Sequence, residues 1–171
     1  VTDWALIGGP PCQAYSLAGR SRMRGVADFA EDKRHFLYKE YLRIIKKFKP
    51  AVFVMENVPE LLRSAEYATF VELAEDLGYS VEGRILNAAD YGVPQRRRRA
   101  IVVGTKAGPF EWPEQTHFPP DSITLTGMPW RTFKDAVAGL PLSPNGRNWH
   151  TARNPRPMSI ERYKTIPAEG E

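Results

Sequence analysis

Two rhythms of apolar residues organise the first hundred positions. The run WALIGG at 4–9 is short, apolar and ended by glycines, which predicts a buried strand opening into a loop. The following stretch, rich in Gly, Ser, Arg and Ala, continues to about residue 32, and so long a connection inside a compact domain is usually functional. From Arg34 the pattern changes: Leu37, Tyr41, Ile44, Ile45 and Phe48 recur at helical spacing as one apolar stripe, and Pro50 stops the helix. AVFVMEN at 51–57 is a near-continuous apolar run, as expected of a strand in a parallel sheet buried on both faces. Phe70, Leu73, Ala74 and Leu77 mark a second helix closed by Gly78. Residues 80–88 and 100–105 read as two further strands with DYGVPQ as the turn between them. Beyond 105 the chain is proline-rich and irregular, with one short helical candidate at 132–140, and from Asn145 it is polar and expected to leave the core.

Strands separated by helices predict an α/β protein with a mostly parallel sheet and flanking helices, the last two strands forming an antiparallel edge. With 42% hydrophobic and 26% charged residues, and no apolar run of the roughly 18 residues a span requires, the 171-residue chain reads as soluble and globular, without a membrane partner. One cysteine cannot staple the fold, and zinc-ligand spacing is absent, so no metal is expected; the redox context points to the cytoplasm. Net charge is +4, and arginines cluster at 20–25 and 95–99, either as phosphate contacts or as a solvated basic face. The chain opens on Val1 with no initiator methionine or signal segment, and reads as a piece of something longer.

Ligands of open α/β sheets bind beyond the carboxyl ends of the strands. Cys12 follows the first strand, Glu56 and Asn57 follow the second, and the arginines of QRRRR enter the last. Each has a structural alternative: a lone cysteine is most often a small buried hydrophobe, a strand-end glutamate faces solvent or serves a helix N-terminus, and an arginine run is surface charge. Two prolines and a glycine pair argue against burial of Cys12, because they stiffen its loop outside any regular element. A thiol, a carboxylic acid and guanidinium groups at one sheet edge suit covalent attack on an electron-poor ring.

PPCQ (10–13), MENVPEL (55–61) and NAADYGVPQRRRR (87–99), in this order and with DKRHFLYKEYLRI between the first two, resemble the central motifs of the C5-cytosine DNA methyltransferases. The resemblance implies an incomplete Rossmann-like domain. Residues 1–105 would be the central part of its catalytic domain and 106–171 an irregular, Pro-rich extension leading towards a target-recognition region. It further implies that Cys12 attacks C6 of a flipped cytosine, that Glu56 contacts N3 and the exocyclic amine, that Arg99 reaches O2 and that Arg97 braces the thiol loop. A free thiol is only a few per cent ionised at neutral pH, so nearby positive charge matters. Pro11, Gln13, Asn57 and Gln95 would support the site, and the loop from Gln13 to Asp32 would close as a lid, with Arg20, Arg22 and Arg24 on the phosphates of double-stranded DNA.

The methyl donor implied is S-adenosylmethionine. In this family its glycine-rich loop lies upstream of the Pro-Cys motif, and no Gly-x-Gly-x-x-Gly occurs here, so the main pocket is expected outside this chain, as is the recognition region. Pro11 and Leu37 are the cofactor contacts the resemblance offers, with His35 standing where the family usually has glycine. The expected whole is a monomeric restriction-modification methyltransferase, inactive as this fragment alone. Two alternatives stand beside it: an RNA cytosine methyltransferase built on the same motifs, and a non-catalytic nucleic-acid-binding module.

Overall fold

The computed structural model describes residues 4–11, 37–122, 126–141, 143–146, 151 and 153–166. Cys12, Gln13, Arg20, Arg22 and Arg24 lie outside the described residues, as does the side chain of Leu37. The central sheet has four strands: β1 (Ala5–Gly8), β2 (Val52–Asn57), β3 (Ser80–Asn87) and β4 (Arg98–Thr105), in the order β1-β2-β4-β3. β1 and β2 pair in parallel, with Gly8 opposite Met55, and the helix α1 (Leu37–Phe48) lies between them in the chain. β4 runs antiparallel to both β2 and β3, so β1, β2 and β3 point one way and β4 alone is reversed. The mixed α/β class and the parallel strands across helical connections are as the hydrophobic pattern predicts.

The last two strands form the expected antiparallel edge, with β4 the inner strand of the pair. β4 sits between β2 and β3, and β3 takes the edge among the described residues. The reason is compositional: the RRAIVVGT of β4 is buried over most of its length, whereas the alternate positions Ser80, Glu82 and Arg84 keep β3 exposed on one face, as a strand edge tolerates. A side chain at Gly104 would collide with the Phe53 ring, so glycine is what lets β4 lie against β2 there.

The core lies on one face of this sheet. Phe53, Met55 and Val102 point into it, met by Tyr41, Leu42 and Ile45 of α1 and by Phe70 and Ala74 of α2 (Ala65–Asp76). Phe53 is its centre, with the rings of Phe70 and Tyr79 at 5.6 and 5.2 Å, each edge-on. Leu42, absent from the expected stripe, is buried, whereas Phe48 is half-exposed and stacks edge-on with Trp4. The stripe centres on positions 41, 42 and 45, and residue 48 has already turned towards its rim. Leu73 of α2 is likewise exposed.

Caps account for where the helices stop and start. Pro59 opens a 3-10 turn, Pro59–Arg63; Ser64 Oγ then accepts from the Tyr67 amide at 3.1 Å and begins α2. Gly78, at φ +84°, ends it. A second 3-10 turn, Ala88–Tyr91, closes on Gly92 at φ +82° and turns the chain from β3 into β4. Neither turn is expressed in the hydrophobic rhythm.

Residues 106–133 group with the sheet in a compact unit that runs Val1–Phe133. They include two short strands, β5 (His117–Phe118) and β6 (Met128–Pro129), paired in parallel, and the start of α3 (Phe133–Val137). Lys134–Glu171 form a second unit, in which α4 (Pro157–Lys164) begins on a proline at its first position. The hydrophobic pattern predicts no helix there, because PMSIERYK carries no sustained apolar face, and none of its residues is buried.

Tyr41 ties the sheet together. Its hydroxyl lies 2.9 Å from the Val54 carbonyl and 3.2 Å from that of Leu6, sharing one proton between β1 and β2. Tyr79 donates to the Pro50 carbonyl at 2.7 Å. Burial pushes both phenols above the ordinary 10.0. A raised acid is neutral longer in the folded state, so this stability is complete below the ordinary phenol range and is lost as pH rises through and beyond it. We expect urea unfolding midpoints to fall between about pH 9 and about pH 11, and Tyr79→Phe to flatten that fall. A slope unchanged in Tyr79→Phe would acquit this phenol.

Candidate active site

β1 ends at Gly8, and the chain leaves as Gly9-Pro10-Pro11 alongside the end of β2. Because the two strands are parallel and in register, this exit runs directly past Glu56 and Asn57. The period of two along a strand sends these neighbours to opposite faces. Asn57 joins the core face with Phe53 and Met55 and is 4% exposed, while Glu56 turns to the other face with its side chain 44% exposed.

Asn57 uses both ends of its amide. Nδ2 donates to the Pro10 carbonyl at 3.1 Å, and Oδ1 accepts from the Val58 amide at 2.9 Å. The first bond spans 47 residues and secures the backbone where it leaves β1 at Pro10. Gly9 packs against Glu56: a Cβ there would stand 3.3 Å from Oε2, so a side chain would crowd the carboxylate. Gly8 is equally constrained by the Tyr41 ring.

The arginines arrive from β4. Glu56 faces Ile101 across the β2–β4 pair, which puts Arg99, two residues earlier on β4, on the same face and diagonal to the carboxylate. Arg99 Nε reaches Glu56 Oε1 at 2.9 Å and Arg97 Nη2 reaches the same oxygen at 3.4 Å. Arg99 also donates through Nη1 to the Arg98 carbonyl at 2.8 Å, which holds its guanidinium at the strand entrance. All three side chains remain partly solvated, so each pair adds only about 0–1 kcal/mol to stability. Their effect is on position. Both contacts fall on Oε1, and Oε2 is turned towards Gly9.

The structure thus brings together Glu56, Asn57, Arg97 and Arg99 with the Pro10-Pro11 exit. Pro11 is exposed there. Gln95 is exposed in the preceding turn, where its own amide donates to the Val93 carbonyl at 2.7 Å. Leu37 opens α1.

Other residues enter the neighbourhood that neither the hydrophobic pattern nor the motifs single out. Arg96, on the opposite side of the chain from Arg97, lies over the Trp130 ring at 4.9 Å. Trp130 Nε1 donates to Asp90 Oδ1 at 2.9 Å. His117 is buried against Gly92, where any side chain would strike its imidazole. Only the unusual turn composition of DYGVPQ hints at special geometry here. Trp130 is 40 residues away from Asp90, beyond any local signal.

This Rossmann-like α/β sheet is a fold shared with solved methyltransferase structures. Over 81% of its length the chain matches the solved structure of a prophage-encoded E. coli protein described as a DNA modification methyltransferase, at TM-score 0.54 and 27% identity, covering 35% of that chain. The protein belongs to the C-5 cytosine-specific DNA methylase family, whose model matches residues 4–166. It is 36% identical over 174 residues to the Type II methyltransferase M1.HphI of Haemophilus parahaemolyticus, a match covering 97% of this chain and 43% of that protein. It is 42% identical over 152 residues to M.Bpa9945I of Bacillus paralicheniformis, covering 80% of this chain and 32% of that one. The chain therefore spans less than half the length of these relatives.

Asn57→Ala would leave the Pro10 carbonyl and the Val58 amide without their partner. We expect a loss of about 1–3 kcal/mol in chemical denaturation. A loss below about 0.5 kcal/mol would mean that water replaces the amide without cost.

Proposed function

We propose that the protein carrying this chain transfers a methyl group to C5 of cytosine in double-stranded DNA, through a covalent bond between Cys12 and C6. The observation that carries this reading is the placement of Glu56. It is held by Arg97 and Arg99 at the very edge where the Pro-Pro-Cys loop leaves β1. The Type II names of the relatives support a role in restriction-modification.

In this reading the Cys12 thiolate adds to C6 of a cytosine extruded from the duplex. The electron pair of the C5–C6 double bond is displaced through C4 towards N3, where Glu56 contributes a shared proton, and C5 becomes nucleophilic. Glu56 presents Oε2, because Oε1 is taken by the two guanidinium groups. Arg99 extends beyond the carboxylate to O2 of the ring, and Arg97 keeps positive charge near the thiol, favouring its ionised form. After methylation, the C5 proton passes to water, the C6–S bond breaks to return the thiolate, and the N3 proton returns to Glu56. Asn57 and the prolines keep the thiol's loop out of the core, and Gln95 shapes the turn into the arginines.

S-adenosylmethionine, when bound, supplies the methyl group. By resemblance Pro11, exposed at the β1 exit, and Leu37, which opens α1, would contact it. The remainder of the pocket belongs to the whole protein. The same division applies to DNA: Arg20, Arg22 and Arg24 would contact phosphates, and target choice would rest with a recognition region.

The test is covalent trapping. The full-length enzyme, its methyl donor and a duplex bearing 5-fluorocytosine should give a stable adduct through Cys12, absent in Cys12→Ser. Glu56→Gln should slow trapping by about 10²–10⁴-fold, the range of a positioned proton donor. Failure of the wild-type enzyme to trap the fluorinated base would sink the mechanism. Neutralising Arg20, Arg22 and Arg24 together should flatten the salt dependence of duplex binding by about 0.9 in log–log slope for each phosphate that is no longer neutralised. An unchanged slope removes them from the interface.

A further inference from the structure

From the contacts around Trp130 we infer that Asp90, Trp130 and Arg96 form a clamp that positions Arg97 on Glu56, an inference that rests on the catalytic reading above. Trp130 is anchored twice. Its backbone amide donates to the Phe118 carbonyl at 2.8 Å, and its indole Nε1 donates to Asp90 Oδ1 at 2.9 Å. Asp90 is itself braced: Asn87 Nδ2 donates to the same carboxylate oxygen at 3.2 Å, and the Thr116 amide donates to the Asp90 carbonyl at 3.0 Å. The indole is therefore a platform fixed to the turn that precedes the arginines.

Arg96 lies on this platform, its guanidinium carbon 4.9 Å from the ring centroid. The Arg97 carbonyl accepts from the Ala88 amide at 3.0 Å, extending the ladder of β3 and β4 by one pair and holding the backbone extended at that point. Successive side chains of an extended chain point to opposite sides. Pinning Arg96 onto the indole on one side turns Arg97 towards Glu56 on the other. The Arg97 contact is the looser of the two on that carboxylate, 3.4 Å against 2.9 Å for Arg99, and so the one more in need of outside support. These groups are positioning residues, since none of them touches Glu56.

The test is a double-mutant cycle in the full-length enzyme, read by single-turnover methylation of duplex DNA with saturating methyl donor. Arg96 is exposed, and Arg96→Ala leaves the Asp90–Trp130 bond in place, so folding is spared. We expect Arg96→Ala to lower the methylation rate about fivefold at a KM for DNA within about twofold of wild type, and Arg96→Lys, which keeps a cation over the ring, to restore most of it. In the Arg97→Ala background, Arg96→Ala should cost less than about twofold more, because the clamp then has nothing to position. Multiplying losses, or an effect confined to KM, would overturn the clamp and make Arg96 an independent DNA contact. Wild-type rates in Arg97→Ala would instead remove the reading on which the clamp rests, and the clamp with it. Trp130→Leu, checked for an unchanged unfolding midpoint, should reproduce the Arg96→Ala pattern; a wild-type rate in that variant would also overturn the proposal.

Discussion

The parallel pairing of β1 with β2 is the constraint from which the site follows. Gly8 opposite Met55 places the departing Gly9-Pro10-Pro11 segment beside Glu56 and Asn57, and a slip of one residue would reverse the faces of both. That register has a specific guard. Tyr41 comes from the helix connecting the two strands, buries its ring against Gly8 and shares its hydroxyl proton between carbonyls of β1 and β2. One side chain thus reads the alignment of two strands at once, and any bulk at Gly8 would displace it.

Given the register, the twofold period of strands separates scaffold from chemistry. Asn57 falls on the core face and spends its amide on the backbone; Glu56, its neighbour, falls on the opposite face and keeps a carboxylate half in water. The same alternation divides the arginine run. Arg97 and Arg99 turn towards Glu56, and Arg96 turns to the Trp130 ring. A sequence of four consecutive arginines looks redundant, yet two of them converge on Glu56 and a third lies over the Trp130 ring. Their solvated ion pairs contribute little to folding, so the fold is held by the Phe53-centred core.

Much of this was legible in the chain. The four strands of the sheet and the two helices of its core follow from local periodicity, because burial of one face imprints the period of its element on adjacent residues. The residue types at the strand ends, Glu56 with Asn57 and the arginines after Gln95, were equally visible, and the order of the motifs indicated the family to which the chain belongs. Less legible were the short elements: the 3-10 turns at Pro59–Arg63 and Ala88–Tyr91, the paired β5 and β6, and the exposed α4, all of which bury too little to leave a rhythm.

Which distant residues meet is settled only in the packed sheet. Hydrophobic pattern proposed an antiparallel pair for β3 and β4 but could not rank them; the richer apolar content of β4 is expressed only when β2 offers it a second neighbour, which puts β4 inside and β3 outside. Asp90 and Trp130 are 40 residues apart, and Asn57 and Pro10 are 47 apart. Neither pairing has a local signature, since a hydrogen bond between remote side chains constrains two positions without marking the residues between them. Local order along the chain sets the elements and the chemical groups at their ends. Packing determined that Glu56 meets Arg97 and Arg99 at one edge and that Arg96 meets the Trp130 ring, because only the assembled sheet brings the end of β2 and the start of β4 together.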